Sequence, residues 1–191
     1  MLIAVILCLE ALAALGGLVA AGLFAVSTFV LRDLRSQPTA DRVRTMNAIN
    51  LATAMVTKVL LCGTALLGLA AALIWSFDRS WDRLEEPGAV MAIAGAVAFG
   101  LGAVFVTIER STPLNKLLRT ATDASSEMIW RIYRRDWGLW NQVRTVACAV
   151  TSALFITATV LHILHVIDTE RMRAVDHGDP ICLPCPNIQA D

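Results

Sequence analysis

Four long apolar runs, separated by charged gaps, organise this chain. They cover residues 2–31, 48–77, 87–108 and 143–167. The first is interrupted only by Glu10 and the small polar pair Ser27-Thr28, the second carries a single charge at Lys58, and the third carries none. The fourth has Arg144 at its start and His162 and His165 near its end. A helix needs about 20 mostly apolar residues to cross the hydrocarbon core. Only helices and closed barrels satisfy their backbone polar groups in lipid, and these runs are too long and too free of alternation to be strands. The pattern predicts an all-α protein, a bundle of four transmembrane helices. No Lys or Arg precedes the first run, whose apolar stretch is about twice the length of a signal-peptide core, so it reads as a membrane anchor.

The third gap is too long for a plain connection. Thr112-Pro113-Leu114-Asn115 reads as a break after the third helix. From about Ser125, Met128, Ile129, Ile132, Tyr133, Trp137 and Trp140 recur at three- and four-residue steps, with Arg131, Arg134, Arg135 and Asp136 between them. This predicts an amphipathic helical segment between helices 3 and 4. It either lies on the membrane surface or extends the fourth helix, and Gly138 weakens the second option. The aromatic rings of this segment suit the headgroup level. Residues 1–170 are expected to form the membrane domain and residues 171–191 an external tail holding Cys182 and Cys185.

Composition agrees with a membrane protein. Of 191 residues, 57% are hydrophobic and 17% charged, with a mean hydropathy of +0.63, where soluble chains hold about 25% charged residues. Sixteen basic residues balance sixteen acidic ones, which points to no nucleic-acid partner. Their placement is more informative. Arg32, Arg35, Arg42 and Arg44 lie in the first gap, and Arg110, Lys116, Arg119, Arg131, Arg134, Arg135 and Arg144 in the third, against Arg79, Arg83, Arg171 and Arg173 on the opposite side. Basic residues stay cytoplasmic. Both termini are therefore expected outside the cytoplasm of a plasma or bacterial inner membrane.

Charged groups inside apolar runs are costly and mark function by default. Glu10, His162 and His165 all belong to the outer half of the bundle in this orientation, and the two histidines, three apart, share a helix face. Together they could hold a metal or proton; alternatively, all three sit at the interface. Lys58 either snorkels or serves as a base. The tail pair Cys182 and Cys185 is open to a disulfide or, with His177, a metal, or belongs to an irregular tail. Cys8, Cys62 and Cys148 read as packing residues. Gly16-Gly17, Gly63, Gly68, Gly95, Gly100 and Gly102 predict close helix approach.

Near the boundary at the basic end, Asn50 opens the second run, Asn115 follows the third, and Asn141 and Arg144 open the fourth. Two kinds of role fit this set. Amides and a guanidinium can bind anionic oxygens, while Trp130, Trp137 and Trp140 can stack on an aromatic ring. The same residues can also cap helices and lock the bundle, with Glu109 as the expected partner of Arg144.

The run Val106-Thr107-Ile108-Glu109-Arg110-Ser111-Thr112-Pro113-Leu114-Asn115 resembles the Asn-Val-Pro-Leu-Asn hallmark of anthrone-oxygenase-like membrane proteins. Trp130-Arg-Ile-Tyr133, followed by Trp137-Gly-Leu-Trp140-Asn141-Gln-Val143-Arg144-Thr145, is similar to that family's Trp-x-x-Tyr and Trp-x-x-Trp-Asn-His-Val-Arg-Thr blocks. Upstream, residues 22–30 and Met46-Asn47-Ala48-Ile49-Asn50 resemble its first two helix segments. The resemblance implies oxidation of an anthrone to an anthraquinone with O₂ as co-substrate, through an enolate that needs neither metal nor flavin. It implies a cavity for a flat polycyclic ligand. Ser111 and Gln142 depart from the pattern, standing where the family has Asn and His. The resulting expectation is a membrane oxygenase-like protein for a hydrophobic aromatic or quinone-like molecule. The alternative is a non-enzymatic membrane subunit of a homo-oligomer or larger complex, whose outer Glu/His groups and tail cysteines contact a metal or partner.

The charge asymmetry yields a direct test. In intact cells, after reduction, an impermeant thiol reagent should label Cys182 and Cys185. Labelling that appears only after lysis reverses the orientation.

Overall fold

The computed structural model describes residues 2–77 and 87–176. The 78–86 connection, the tail cysteines Cys182 and Cys185, and His177 lie outside the described residues. No strand occurs among the described residues, and four helices there are long and apolar enough to cross a membrane: Ile6–Ser36, Thr39–Gly68, Pro87–Arg119 and Ser126–Arg173.

The first crossing comprises α1 (Leu2–Ala25), a π-helical turn Val26–Val30, a short α2 (Leu31–Asp33) and a 3₁₀ turn Leu34–Ser36. The chain reverses at Gln37, which is extended, and enters α3 (Thr39–Phe77). The third crossing starts with α4 (Pro87–Phe99), passes through two π segments, Gly100–Phe105 and Thr107–Ser111, and ends in α5 (Thr112–Arg119). A short turn leads to α6 (Ser126–Asp176).

The expected break at Thr112-Pro113 does not occur. Proline has no N–H, and its ring clashes with the carbonyl four residues back in a regular helix. Here the π turn Thr107–Ser111 immediately precedes it and supplies a longer register: the Thr112 amide and hydroxyl both donate to the Thr107 carbonyl, the hydroxyl at 2.9 Å. One extra residue per turn moves the carbonyls out of register with the ring, so the helix absorbs Pro113 and runs on to Arg119.

α6 settles the choice left open for the amphipathic segment, because it extends the fourth helix. At 1.5 Å per residue its 51 residues span about 76 Å, well over the ~30 Å hydrocarbon core. Gly138 lies within it without ending it, and the helix continues through residues 171–176 of the expected tail. Most of its buried positions form one stripe at three- and four-residue steps: Trp130, Tyr133, Trp137, Asn141, Arg144, Cys148, Thr151, Phe155, Ala158 and His162. α1 and α4 pack along this stripe, through clusters that join Leu9, Leu12 and Ala92 to Phe155, and Val19, Ala20 and Phe99 to Cys148. A third cluster closes the basic end, where Leu34, Val43, Met46 and Leu118 surround Trp130, Tyr133 and Trp137. α3 is peripheral. Only 6% of its apolar window is buried inside the protein, against 33% for each of the others.

The glycines divide by place. A Cβ on Gly88 would meet the Ala158 carbonyl at 3.1 Å, and one on Gly102 would collide with the Ala147 Cβ. Gly63, Gly68 and Gly100 have nothing within 4 Å of such an atom, so close approach is not their role. Gly102→Ala should therefore destabilise the α6 contact by about 1–3 kcal/mol. Gly100→Ala, two residues away, should leave the melting temperature of the detergent-solubilised protein nearly unchanged. Equal melting temperatures for the two variants would contradict this packing.

Candidate functional site

The polar residues near the basic end form two adjoining networks. The first centres on Tyr133, a fully buried side chain of α6. Its hydroxyl accepts from the Asn50 amide at 3.2 Å and donates to the Asn115 side-chain oxygen at 3.2 Å, tying α3, α5 and α6 together. Its ring stacks between Trp130 and Trp137, with centroids 5.9 and 5.7 Å away and interplanar angles of 25° and 21°. Asn47, one turn before Asn50, donates to the Leu118 carbonyl at 3.2 Å.

The second network centres on Asn141 and Arg144. The Asn141 amide donates to the Leu23 carbonyl at 2.8 Å and to the Ser27 hydroxyl, which itself donates to Leu23 at 3.1 Å. The Asn141 oxygen accepts from the Arg144 guanidinium at 2.5 Å, and a second guanidinium nitrogen reaches the Thr107 hydroxyl at 3.4 Å. Arg144 is only 6% exposed. Its Nε and the hydroxyl of Ser111, which is 3% exposed, are buried and without partners. No ion pair among the described residues includes Arg144, and the expected partner Glu109 is exposed. Glu109 belongs to the π turn that buries Ser111, and it falls on that turn's outer side. A permanently charged guanidinium is thus held by neutral oxygens alone.

Both π turns at this level supply site atoms. Ser27 lies in Val26–Val30, while Thr107 and Ser111 lie in Thr107–Ser111. Four residues make roughly one turn of this wider helix, so Thr107 and Ser111 share a face. π turns recur at functional sites for this reason: they widen the helix and redirect side chains.

The expected site residues separate accordingly. Asn50, Asn115 and Trp137 belong to the Tyr133 network, and Asn141 and Arg144 to the second. Trp140 is half-buried beside them under the Arg110 guanidinium, 4.9 Å from the ring centroid. Tyr133 was legible as one aromatic of the amphipathic stripe and as a motif position, and Ser27 and Thr107 only as members of the matched blocks, with nothing to mark them as partners of Asn141 and Arg144. Gln142, where the family pattern has His, points outward.

The outer group does not assemble. Glu10 and His165 are exposed whereas His162 is buried, and no three His, Cys, Asp or Glu residues come together as metal ligands among the described residues. Three residues' separation on α6 places His162 and His165 on neighbouring rather than identical faces, and only the former lies on the inward stripe. Lys58 is likewise exposed on α3, and of Cys8, Cys62 and Cys148 only Cys148 is fully buried.

The Tyr133 hub can be tested separately. Tyr133→Phe keeps the stack but leaves Asn50 and Asn115 without their shared partner. At about 0.5–1.5 kcal/mol per bond, it should lower stability by about 1–3 kcal/mol, read as a fall in melting temperature. An unchanged melting temperature would show that the hydroxyl does not join these helices.

No curated protein and no solved structure matches this chain. The sequence pattern of the anthrone oxygenase family matches residues 45–154. That segment is more than half of the chain and holds Asn50, Thr107, Ser111, Asn115, Tyr133, Asn141 and Arg144. This chain belongs to the anthrone oxygenase family.

Proposed function

We propose that this chain is a membrane oxygenase-like protein that binds a hydrophobic aromatic or quinone-like molecule beside Arg144 and acts on it with O₂. One observation carries the reading: a guanidinium buried among transmembrane helices with no carboxylate partner and its Nε unpaired. A charge in that setting is costly on its own, and a ligand oxygen bearing negative charge is its natural complement. Membership of the anthrone oxygenase family supports an aromatic enolate or phenolate as that ligand.

The chemistry follows from stabilising such an anion. Loss of a proton from an anthrone methylene gives an enolate whose oxygen is held by Arg144. The carbon end gives an electron to O₂, and combination yields a hydroperoxide. Loss of water then leaves the quinone carbonyl, so one CH₂ and one O₂ become one C=O and one water. A low-dielectric, water-poor setting strengthens the guanidinium–oxyanion attraction as charge develops. The proton acceptor is not assigned to Gln142, which points away from the cluster. The basic end faces the cytoplasm in this reading, with both termini outside.

The test combines binding and turnover. Protein in detergent is supplied with a hydroxylated anthrone, and O₂ uptake is followed together with anthraquinone absorbance. Uptake should exceed the protein-free rate. Arg144→Lys keeps the charge but loses the planar fork, and one lost charge-assisted bond, about 1.5–3 kcal/mol, corresponds to a fall of about tenfold or more. Trp140→Ala, at a half-buried position, should weaken ligand retention with little change in melting temperature. Losses that track melting temperature in both variants would refute the reading. So would a protein partner at fixed stoichiometry with no small molecule retained and no O₂ uptake.

A further inference from the structure

A groove of about 400 Å³ opens between α3 and α5, lined by Asn47, Ala48, Leu51 and Arg119. It lies apart from Arg144 and involves none of that network's residues. We infer that it is a binding site for an anionic phospholipid, with the phosphate on Arg119 and an acyl chain along α3.

The lining is divided as such a ligand is divided. Arg119 ends the third membrane crossing. It is exposed, and its side chain has no ion pair or hydrogen bond among the described residues. By contrast, Arg44 on the neighbouring helix is already paired with Asp41 at 3.7 Å. Ala48 begins the apolar run of α3, so the groove straddles the level where charged side chains give way to hydrocarbon. Beyond Ala48, Leu51 is 68% exposed and Met55, one turn further on, 76% exposed, which gives an apolar track away from Arg119. A free phosphate would use only the Arg119 side of this groove, whereas a phospholipid uses both.

Asn47 adds a headgroup preference. Its amide donates to the Leu118 carbonyl at 3.2 Å, and its side-chain oxygen is a buried acceptor without a partner. A headgroup carrying hydroxyl donors next to its phosphate, as a glycerol headgroup does, complements that acceptor once rotation of the Asn47 side chain turns its oxygen from the interior into the groove. A choline headgroup offers neither hydroxyl nor net negative charge.

The test uses the full chain reconstituted in bilayers of equal phosphatidylglycerol and phosphatidylcholine, then gently extracted for native mass spectrometry. The wild-type protein should retain one phosphatidylglycerol in preference to phosphatidylcholine. Arg119→Gln should reduce that retention about fivefold, the effect of removing one basic residue at an anionic surface. Its melting temperature should not change, because the side chain is exposed, and Arg119→Lys should restore most of the retention. Equal retention of the two lipids, retention unaffected by Arg119→Gln, or displacement of the lipid by millimolar inorganic phosphate would each overturn the inference. O₂ uptake at the Arg144 site is a separate measurement, so either reading can fail without the other.

Discussion

A guanidinium that cannot lose its proton, enclosed where several membrane helices meet, sets the terms for the rest of this structure. Arg144 needs oxygen atoms around it, and the bundle provides neutral ones. Asn141 accepts from it directly and is in turn fixed to the Leu23 carbonyl and the Ser27 hydroxyl of the first crossing. Thr107 approaches from the third. Neutral partners stabilise the charge less than a carboxylate would, and they leave it uncompensated. A carboxylate would occupy the guanidinium permanently, whereas the present arrangement keeps its Nε unpaired, as is the buried Ser111 hydroxyl.

The helix irregularities serve the same region. Regular helices crossing at this level would present side chains at fixed three- and four-residue steps. The π turns at Val26–Val30 and Thr107–Ser111 break that register on both sides of α6 and place Ser27, Thr107 and Ser111 where they are. The second of these turns also lets α5 continue past Pro113, carrying Asn115 and Leu118 to Tyr133 and Asn47. One local distortion thereby serves both networks. At the opposite end the packing is conventional, with small residues such as Gly88 bringing helix backbones together.

Within the bundle the four crossings have unequal roles. α6 carries the continuous buried stripe and is the axis on which α1 and α4 pack. α3 rests on α1 and is joined at the basic end through Asn50 and the Met46 cluster, leaving most of its apolar window exposed. This inequality explains why Lys58 is exposed. It also explains why the groove beside Asn47 has an apolar wall open to the bilayer.

Hydropathy alone determined the fold class and the four crossings, because the length of an apolar run is fixed by the thickness of hydrocarbon it must cross. The motif blocks likewise singled out Asn50, Asn115, Asn141 and Arg144. Their partners were not legible. The link from Asn141 to Leu23 joins positions 118 apart through a backbone carbonyl, which has no side-chain signature. The hub at Tyr133 looked like one more aromatic in an amphipathic stripe. Pro113 was read as a stop because local rules for proline presume a regular helix, and only the π turn before it decided otherwise. Membership in a common outer half suggested that Glu10, His162 and His165 would meet, but depth along a helix does not fix rotation about it. Rotation is set by which neighbours pack on which face, and that was decided only by the tertiary structure, where His162 turned inward and Glu10 and His165 did not.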